Sequence, residues 1–428
     1  VKTIIGFILF MSLCSFTSVS VQAQQRSLKE YVQAAITNNP VIKDNRNLSE
    51  IARLEAERLK GVYLKPQLFL SAAYSLAPLI SSNGITTNPD AAGMAAIGYD
   101  PAITNGGLYS VLLNAALPVF NDIRYQAFAE QTLVQTQVSA NTIEFIKHDL
   151  EKLVADQYIL CVQDASQVRA AEDAMQMLGE QKNVVVQMVQ NGLLKQSEAL
   201  LMDIELKNQH VALVTLRATY KRNLLDLNVL CGIQDTSTVQ LAEPEIILTR
   251  AVTLSKFVQK FVTDSMSIVA AQKAFDSRYE PQVNVFANTG LNATQLPDLQ
   301  RRFGLSVGVN ASLTLFDGGQ QALTQQKTNF ALNSVAQYRE LLLNQNEVRK
   351  TKILQELAAL QERIQTLTAQ STDYKQLLGM YKKELLSGQL SVVNYITTLR
   401  LAMTLTRDRV LAETNKLFLI NAYNYWNW

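Results

Sequence analysis

From Phe303 to Phe316 the chain alternates strictly between apolar and small polar residues. Phe303, Leu305, Val307, Val309, Ala311, Leu313 and Leu315 fall on one face, and Gly304, Ser306, Gly308, Asn310, Ser312 and Thr314 on the other. A period of two predicts a strand over about 303–316. A second strand is predicted over about 107–120, with Tyr109, Val111, Leu113, Ala115, Leu117 and Val119 on its apolar face. Its other face is mixed: Ser110, Leu112, Asn114, Ala116 and Pro118. Weaker alternation over about 67–77 and 282–291 predicts two more strands. Elsewhere the period changes. Leu150, Val154, Tyr158, Cys161, Ala165, Val168, Ala171, Met175 and Leu178 follow one another by three or four, as one face of a helix does. Ile353, Leu357, Leu360, Ile364, Leu367, Tyr374, Leu378 and Tyr381 make a second such stripe. No proline interrupts either stretch, so long helices are expected over about 121–190 and 317–386. At 1.5 Å per residue each would span roughly 100 Å. A globular core does not need that length, whereas a fibre, a tether or a tunnel wall does.

The pattern occurs twice. Val111–Phe120 and Val307–Phe316 share five of ten residues at an offset of 196. Asn191-Gly192-Leu193-Leu194 and Ser387-Gly388-Gln389-Leu390 stand at the same offset, so both stretches from phenylalanine to glycine are 72 residues long. Ser27–Asn38 matches Thr253–Asp264, and Pro66-Gln67-Leu68 matches Pro281-Gln282-Val283. Two repeats are expected, 24–252 and 253–428, each running short helix, helix, strand, loop, strand, long helix, tip, returning helix. Gly192 and Gly388 mark the tips, where a helix ends in a left-handed residue. Asp317 reads as the N-cap of the second long helix, with a cation site as the weaker alternative. Asn121-Asp122 can cap the first in the same way. Two differences stand out. The first strand-pair loop, from Ser81-Ser82-Asn83-Gly84 to Gly106-Gly107, belongs to a connection 19 residues longer than its counterpart. The stretch from Met266 to Pro281 is 15 residues, against 26 from Pro40 to Pro66.

The predicted strands reach about a dozen residues, longer than most globular strands. Nothing else in the sequence is strand-rich enough to cover their apolar faces, so lipid is the expected cover. Four strands per chain are too few to close a membrane barrel, which implies several copies. The mature chain holds no second apolar stretch long enough to span a membrane as a helix. Residues 1–23 read as a signal peptide: Lys2, an apolar run to Phe16, and Val21-Gln22-Ala23 as the cleavage site. The balance of 39 basic and 37 acidic residues offers no electrostatic reason for nucleic-acid binding. Two histidines and three cysteines, widely scattered, suggest no metal cluster. No nucleophile elbow, phosphate loop or histidine–carboxylate arrangement is present, so no catalytic residue and no cofactor are expected. Cys161 and Cys231 could pair in an oxidising compartment, but their helix positions favour two buried thiols. The segment between the halves, Cys231 to Leu254, is expected to pack as a belt.

Over nearly all its mature length the chain resembles the TolC-like outer-membrane efflux protein family. The resemblance is carried by Ser27-Leu28 through Asn38-Asn39-Pro40, by Pro66 opening a strand, by Leu315-Phe316-Asp317-Gly318-Gly319 at a strand-to-helix junction, and by Gly388-Gln389-Leu390-Ser391 at a tip. It implies a mainly α fold with a membrane β-barrel, four barrel strands per chain and long periplasmic helical hairpins. Three copies would then form a homotrimeric α/β-barrel. It implies the outer-membrane channel of a tripartite efflux pump or type I secretion system in a Gram-negative cell, extending into the periplasm. The implied partners are a periplasmic adaptor, an inner-membrane pump of RND, ABC or MFS type, and outer-membrane lipid, with no nucleic acid. The rival reading is a coiled-coil tether anchored in the outer membrane, which would not need a polar strand face. On the duct reading Ser306, Asn310, Ser312, Thr314 and Asn114 face the lumen, and Phe316, Asp317, Gly318 and Gly319 form the junction. Relatives often carry acidic residues six and nine positions after the second tip glycine, whereas this chain has Asn394 and Thr397 there. Glu198, six residues after Gly192, is the one acidic candidate for lining the entrance, with a solvated helix charge as the equal alternative.

Overall fold

The computed structural model describes residues 25–74, 79–81, 84–86, 109–252, 255–293 and 296–428. The expected signal peptide and most of the longer loop lie outside the described residues. In chain order the elements are α1 (Leu28–Asn38), α2 (Pro40–Leu64), β1 (Gln67–Tyr74), β2 (Leu79–Ser81), β3 (Gly84–Thr86), β4 (Tyr109–Val119), α3 (Asp122–Gln190) and α4 (Gln196–Cys231). There follow α5 (Val258–Asp276), β5 (Gln282–Ala293), β6 (Phe303–Ser312), α6 (Gln320–Leu386) and α7 (Val392–Trp426). Single 3₁₀ turns follow α5 at Ser277–Tyr279 and β5 at Leu296–Arg301. Among the described residues no helix is long and apolar enough to cross a membrane.

The chain forms two compact units. One comprises residues up to Pro40, Ile146–Thr253 and Gln345–Trp428; the other comprises Val41–Phe145 and Leu254–Asn344. Helices α3 and α6 contribute to both.

In the first unit Ser27 starts α1 with a reciprocal cap. Its hydroxyl accepts from the Glu30 amide and the Glu30 carboxylate accepts from the Ser27 amide. α1 then packs Tyr31 and Ala35 against Val154, Tyr158 and Cys161 of α3 and Leu224, Leu227 and Cys231 of α4. The stripe read from the sequence is thus the face that α3 buries. A second core joins all four long helices through Leu178, Val185, Met202, Leu385, Val392, Tyr395, Ile396 and Leu399. The segment after α4 is strapped to the helices by backbone bonds. Arg26 and Leu241 form a parallel bridge, and the Tyr158 hydroxyl donates to the carbonyls of Arg26 and Ala242. Asn424 and Asn427 on the last helical turns bind Ile247, Thr249, Arg250 and Val252. Cys161 and Cys231 are free and buried thiols, and burial pushes both up to about 12.

In the second unit β1, β4, β5 and β6 form an antiparallel sheet in that order. Arg124, near the start of α3, is buried and donates to the carbonyls of Ser277, Arg278 and Glu280, which would otherwise lack partners where α5 ends. Tyr63 stacks on Phe128 at 5.4 Å, and Lys273 of α5 pairs with Glu130 at 2.8 Å.

Three element boundaries differ from the sequence reading. The second half has one helix, α5, where two were expected. In the first half Asn39 is extended before Pro40 and separates α1 from α2, because a residue preceding proline avoids the helical region. No proline stands near Asp264, so the helix there continues unbroken. Strand β6 stops at Ser312 and not at Phe316. Its partner β5 begins at Gln282, directly after Pro281, which has no amide hydrogen to offer a further rung. Helix α6 begins at Gln320 and not at residue 317, because Gly318 and Gly319 have φ of 69° and 82°.

Candidate functional site

The strand register sorts the sheet into two chemically different faces, since residues directly opposite one another project to the same side. On one side the β4–β5–β6 rungs run Val111–Leu291–Phe303, Leu113–Thr289–Leu305 and Ala115–Ala287–Val307. Leu68, Leu70, Ala72 and Tyr74 of β1 continue this face. Thr289 is its one polar residue, and Phe303, Leu305, Val307 and Val309 are all exposed. On the other side the rungs run Asn114–Asn288–Ser306 and Pro118–Asn284–Asn310, with Gln282 opposite Ser312. Side chains bridge these strands directly. The Ser306 hydroxyl donates to Asn288 Oδ1 at 2.7 Å, and Asn114 Nδ2 donates to Ser71 Oγ at 2.7 Å.

Of the residues assigned to the lumen from the sequence, Asn114, Ser306, Asn310 and Ser312 share this polar face. Thr314 does not, because it lies beyond the end of β6, where the sheet has no partner for it. The alternation of β1 and β5 is weak in the sequence because Phe69 and Phe286 occupy polar-face positions. Gly308 leaves room for the second of them: a Cβ there would lie 2.4 Å from the Phe286 ring.

At the junction after β6, Phe316 is exposed and Asp317 gathers three donors. The amides of Gly319 and Gln321 donate to it at 2.8 and 2.7 Å, and the Tyr279 hydroxyl at 2.6 Å. Asp317 therefore serves the first turn of α6 from three residues ahead of its start, not from the N-cap position. The Tyr279 hydrogen bond and the two amides hold its carboxyl below the ordinary 3.8, and the carboxylate in turn raises the Tyr279 phenol to about 12. At the corresponding junction after β4, Phe120 is exposed and has a positive φ of 58°, which ends the strand.

Both tip glycines have left-handed backbones, with φ of 74° at Gly192 and 73° at Gly388. The two turns carry the same bonds. Gly192 donates to Val189 and Leu193 to Met188, while Gly388 donates to Leu385 and Gln389 to Glu384. Each pair closes the end of a long helix in a Schellman turn. The candidates near the tips separate. Asn394 and Thr397 are exposed on α7, where the Asn394 amide donates to the Ser391 hydroxyl and the Thr397 hydroxyl to the Val393 carbonyl. Glu198 is half-buried, and its carboxylate accepts from the Val392 amide at 3.1 Å. It thus caps the first residue of α7 and ties one returning helix to the other.

A second tie escaped sequence reading. Glu205 of α4 is buried and accepts a two-pronged contact from Arg400 of α7, with Gln209 as a further donor. Burial pushes the Glu205 carboxyl up, but these hydrogen bonds outweigh it and leave it below the ordinary 4.5. Nearby, Asp203 is held down to about 2 by hydrogen bonds from Lys182 and Lys207. The one available signal was spacing: Glu205 and Arg400 stand 13 and 12 residues after their tip glycines. Among the described residues no group of histidine, cysteine and carboxylate side chains could hold a metal ion.

No family model and no curated protein matches this sequence. Solved structures do match it. The outer membrane protein VceC from Vibrio cholerae superposes with a TM-score of 0.68 at 14% identity, over 94% of this chain and 95% of that one. The Neisseria gonorrhoeae MtrE outer membrane channel, in its open state, gives 0.66 at 14% identity, over 94% and 88%. The Campylobacter jejuni CmeC outer membrane channel gives 0.65 at 13%, over 94% and 85%. At these identities the likeness is one of fold. The chain has the fold of the TolC-like outer-membrane channels, which is the fold class expected from its sequence.

Proposed function

We propose that the chain is one subunit of a homotrimeric duct in the outer membrane of a Gram-negative cell. The duct would serve as the exit channel of a tripartite efflux pump or a type I secretion system. The observation that carries this reading is the sheet. It is four strands wide, apolar on one face, small and polar on the other, and open at both edges β1 and β6. Open strand edges are not tolerated in lipid, so such a sheet must close on other copies of itself. Three copies supply twelve strands, an even number within the range of membrane barrels. Helix α6 supports the same reading. Leu323, Phe330, Leu341 and Val348 are exposed along it at steps of seven and eleven, close to whole numbers of helical turns. A single chain leaves this stripe in water, whereas neighbouring copies would cover it. The tips would meet a periplasmic adaptor and an inner-membrane pump of RND, ABC or MFS type.

The polar face also separates a duct from a tether, which needs none. The full chain reconstituted in a planar bilayer is expected to give discrete conductance steps, and its deletion to raise sensitivity to exported toxic compounds. Absence of both would favour the tether.

A further inference from the structure

Strands β1, β4, β5 and β6 together contain no charged residue on either face. For the apolar face this follows from contact with lipid. For the polar face it does not, since the lumen side of a membrane barrel is wetted and tolerates charge. Here that face is made of amides, hydroxyls, glycines and small apolar side chains, with Phe69 and Phe286 as its aromatic members. Ionic residues begin where the strands end, at Lys65 and Glu280 on one side and Arg301 and Arg302 on the other.

We propose that the strand region forms a charge-neutral stretch of the duct that does not discriminate anions from cations. The inference rests on the duct reading. Pores select charge with rings of ionised side chains, whose field is concentrated by low-dielectric walls. The Asn114–Asn288–Ser306 rung offers a different chemistry. An amide presents donor and acceptor together, and a hydroxyl does the same, so a solute of either sign finds a partner. Both oriented bonds of this rung, Ser306 to Asn288 and Asn114 to Ser71, are satisfied within the sheet. The wall therefore carries dipoles already paired, with no net field along the lumen. The solute class it fits is mixed: anions, cations and neutral amphiphiles alike, with charge selection left to whatever feeds the duct.

The test uses the full chain in its membrane, with Ser306→Cys or Asn310→Cys, labelled from outside by methanethiosulfonates carrying a trimethylammonium or a sulfonate group. Each rate is normalised to that reagent's rate with a free thiol. The normalised rates are expected to agree within about fivefold at both positions, because no fixed charge stands between the strand ends. A larger bias toward either reagent overturns the proposal. Adding Ser306→Asp to Asn310→Cys at low ionic strength, where screening extends over ~30 Å, is expected to favour the cationic reagent by about fivefold or more. If the added carboxylates leave the ratio unchanged, the neutral wall does not govern selectivity and the proposal falls. Val307→Cys, on the opposite face, is expected to resist both reagents. If the Ser306→Cys and Asn310→Cys variants stay unlabelled while Val307→Cys reacts, the lumen assignment is overturned, and the duct reading with it.

Discussion

At the scale of single residues, the connections between the two helical hairpins rest on two carboxylates with different physics. Glu198 caps α7, and Glu198→Ala is expected to lower stability by about 1 kcal/mol, the usual loss for a cap, read from thermal unfolding followed by circular dichroism. Glu205 is buried while Arg400 stands largely in water. Arg400→Ala leaves a desolvated carboxylate without its cation and is expected to cost about 3 kcal/mol, the low end for a broken buried pair. Replacing Glu205 by leucine in the same chain should recover most of that loss, and a double variant no more stable than Arg400→Ala would refute the assignment. The pH dependence has a definite sign. Glu205 and Asp203 both titrate below their ordinary values when folded, so their stabilisation is present above about 4.5 and is lost as pH falls through the lower folded values. Asp164 is pushed up by burial and acts in the opposite sense, so the net acid loss is smaller than the two carboxylates alone would give. Unfolding midpoints should fall from about pH 6 to about pH 3, across the ordinary carboxylate range, and fall less in Glu205→Gln/Arg400→Ala. None of these pairings was legible in the sequence, because Glu198 and Glu205 each meet partners almost two hundred positions away.

At the scale of elements, local rules did most of the work. The three- and four-residue spacing marks the buried stripe of α3, and the capping box at Ser27 marks the start of α1. Gly192 and Gly388 are found in the turns expected of them. No neighbour lies within 4 Å of a Cβ built at Gly388, so Gly388→Ala would meet no clash there. Its cost is backbone strain alone, about 1 kcal/mol for a left-handed residue, and the expected result is a lower melting point with unchanged folded-state spectra. A loss well beyond that would mean the turn touches something further. Where the sequence reading missed, a neighbour in space or a missing proline had decided. β6 ends with its partner at Pro281, and α5 runs on unbroken because no proline matches Pro40.

At the scale of the whole molecule, the sheet edges and the apolar stripe on α6 call for further copies of the chain. Detergent-extracted protein is expected to run, in light scattering corrected for detergent, at three times the chain mass of 47.7 kDa. A monomeric mass with intact helical content would contradict the trimer. By itself the sequence determined the periods: two in the strands, three and four in the helices, and with them the order of elements and the chemistry of each face. Those depend on residues close together in the chain, where backbone geometry repeats. Only the tertiary structure decided which strand meets which, where each strand ends, and that Glu198 caps another helix instead of standing free. It also brought the neutral face together, since Asn114, Asn288 and Ser306 come from three strands and share a rung only through pairing across the sheet. Register is a relation between distant segments, and no single stretch of chain contains it.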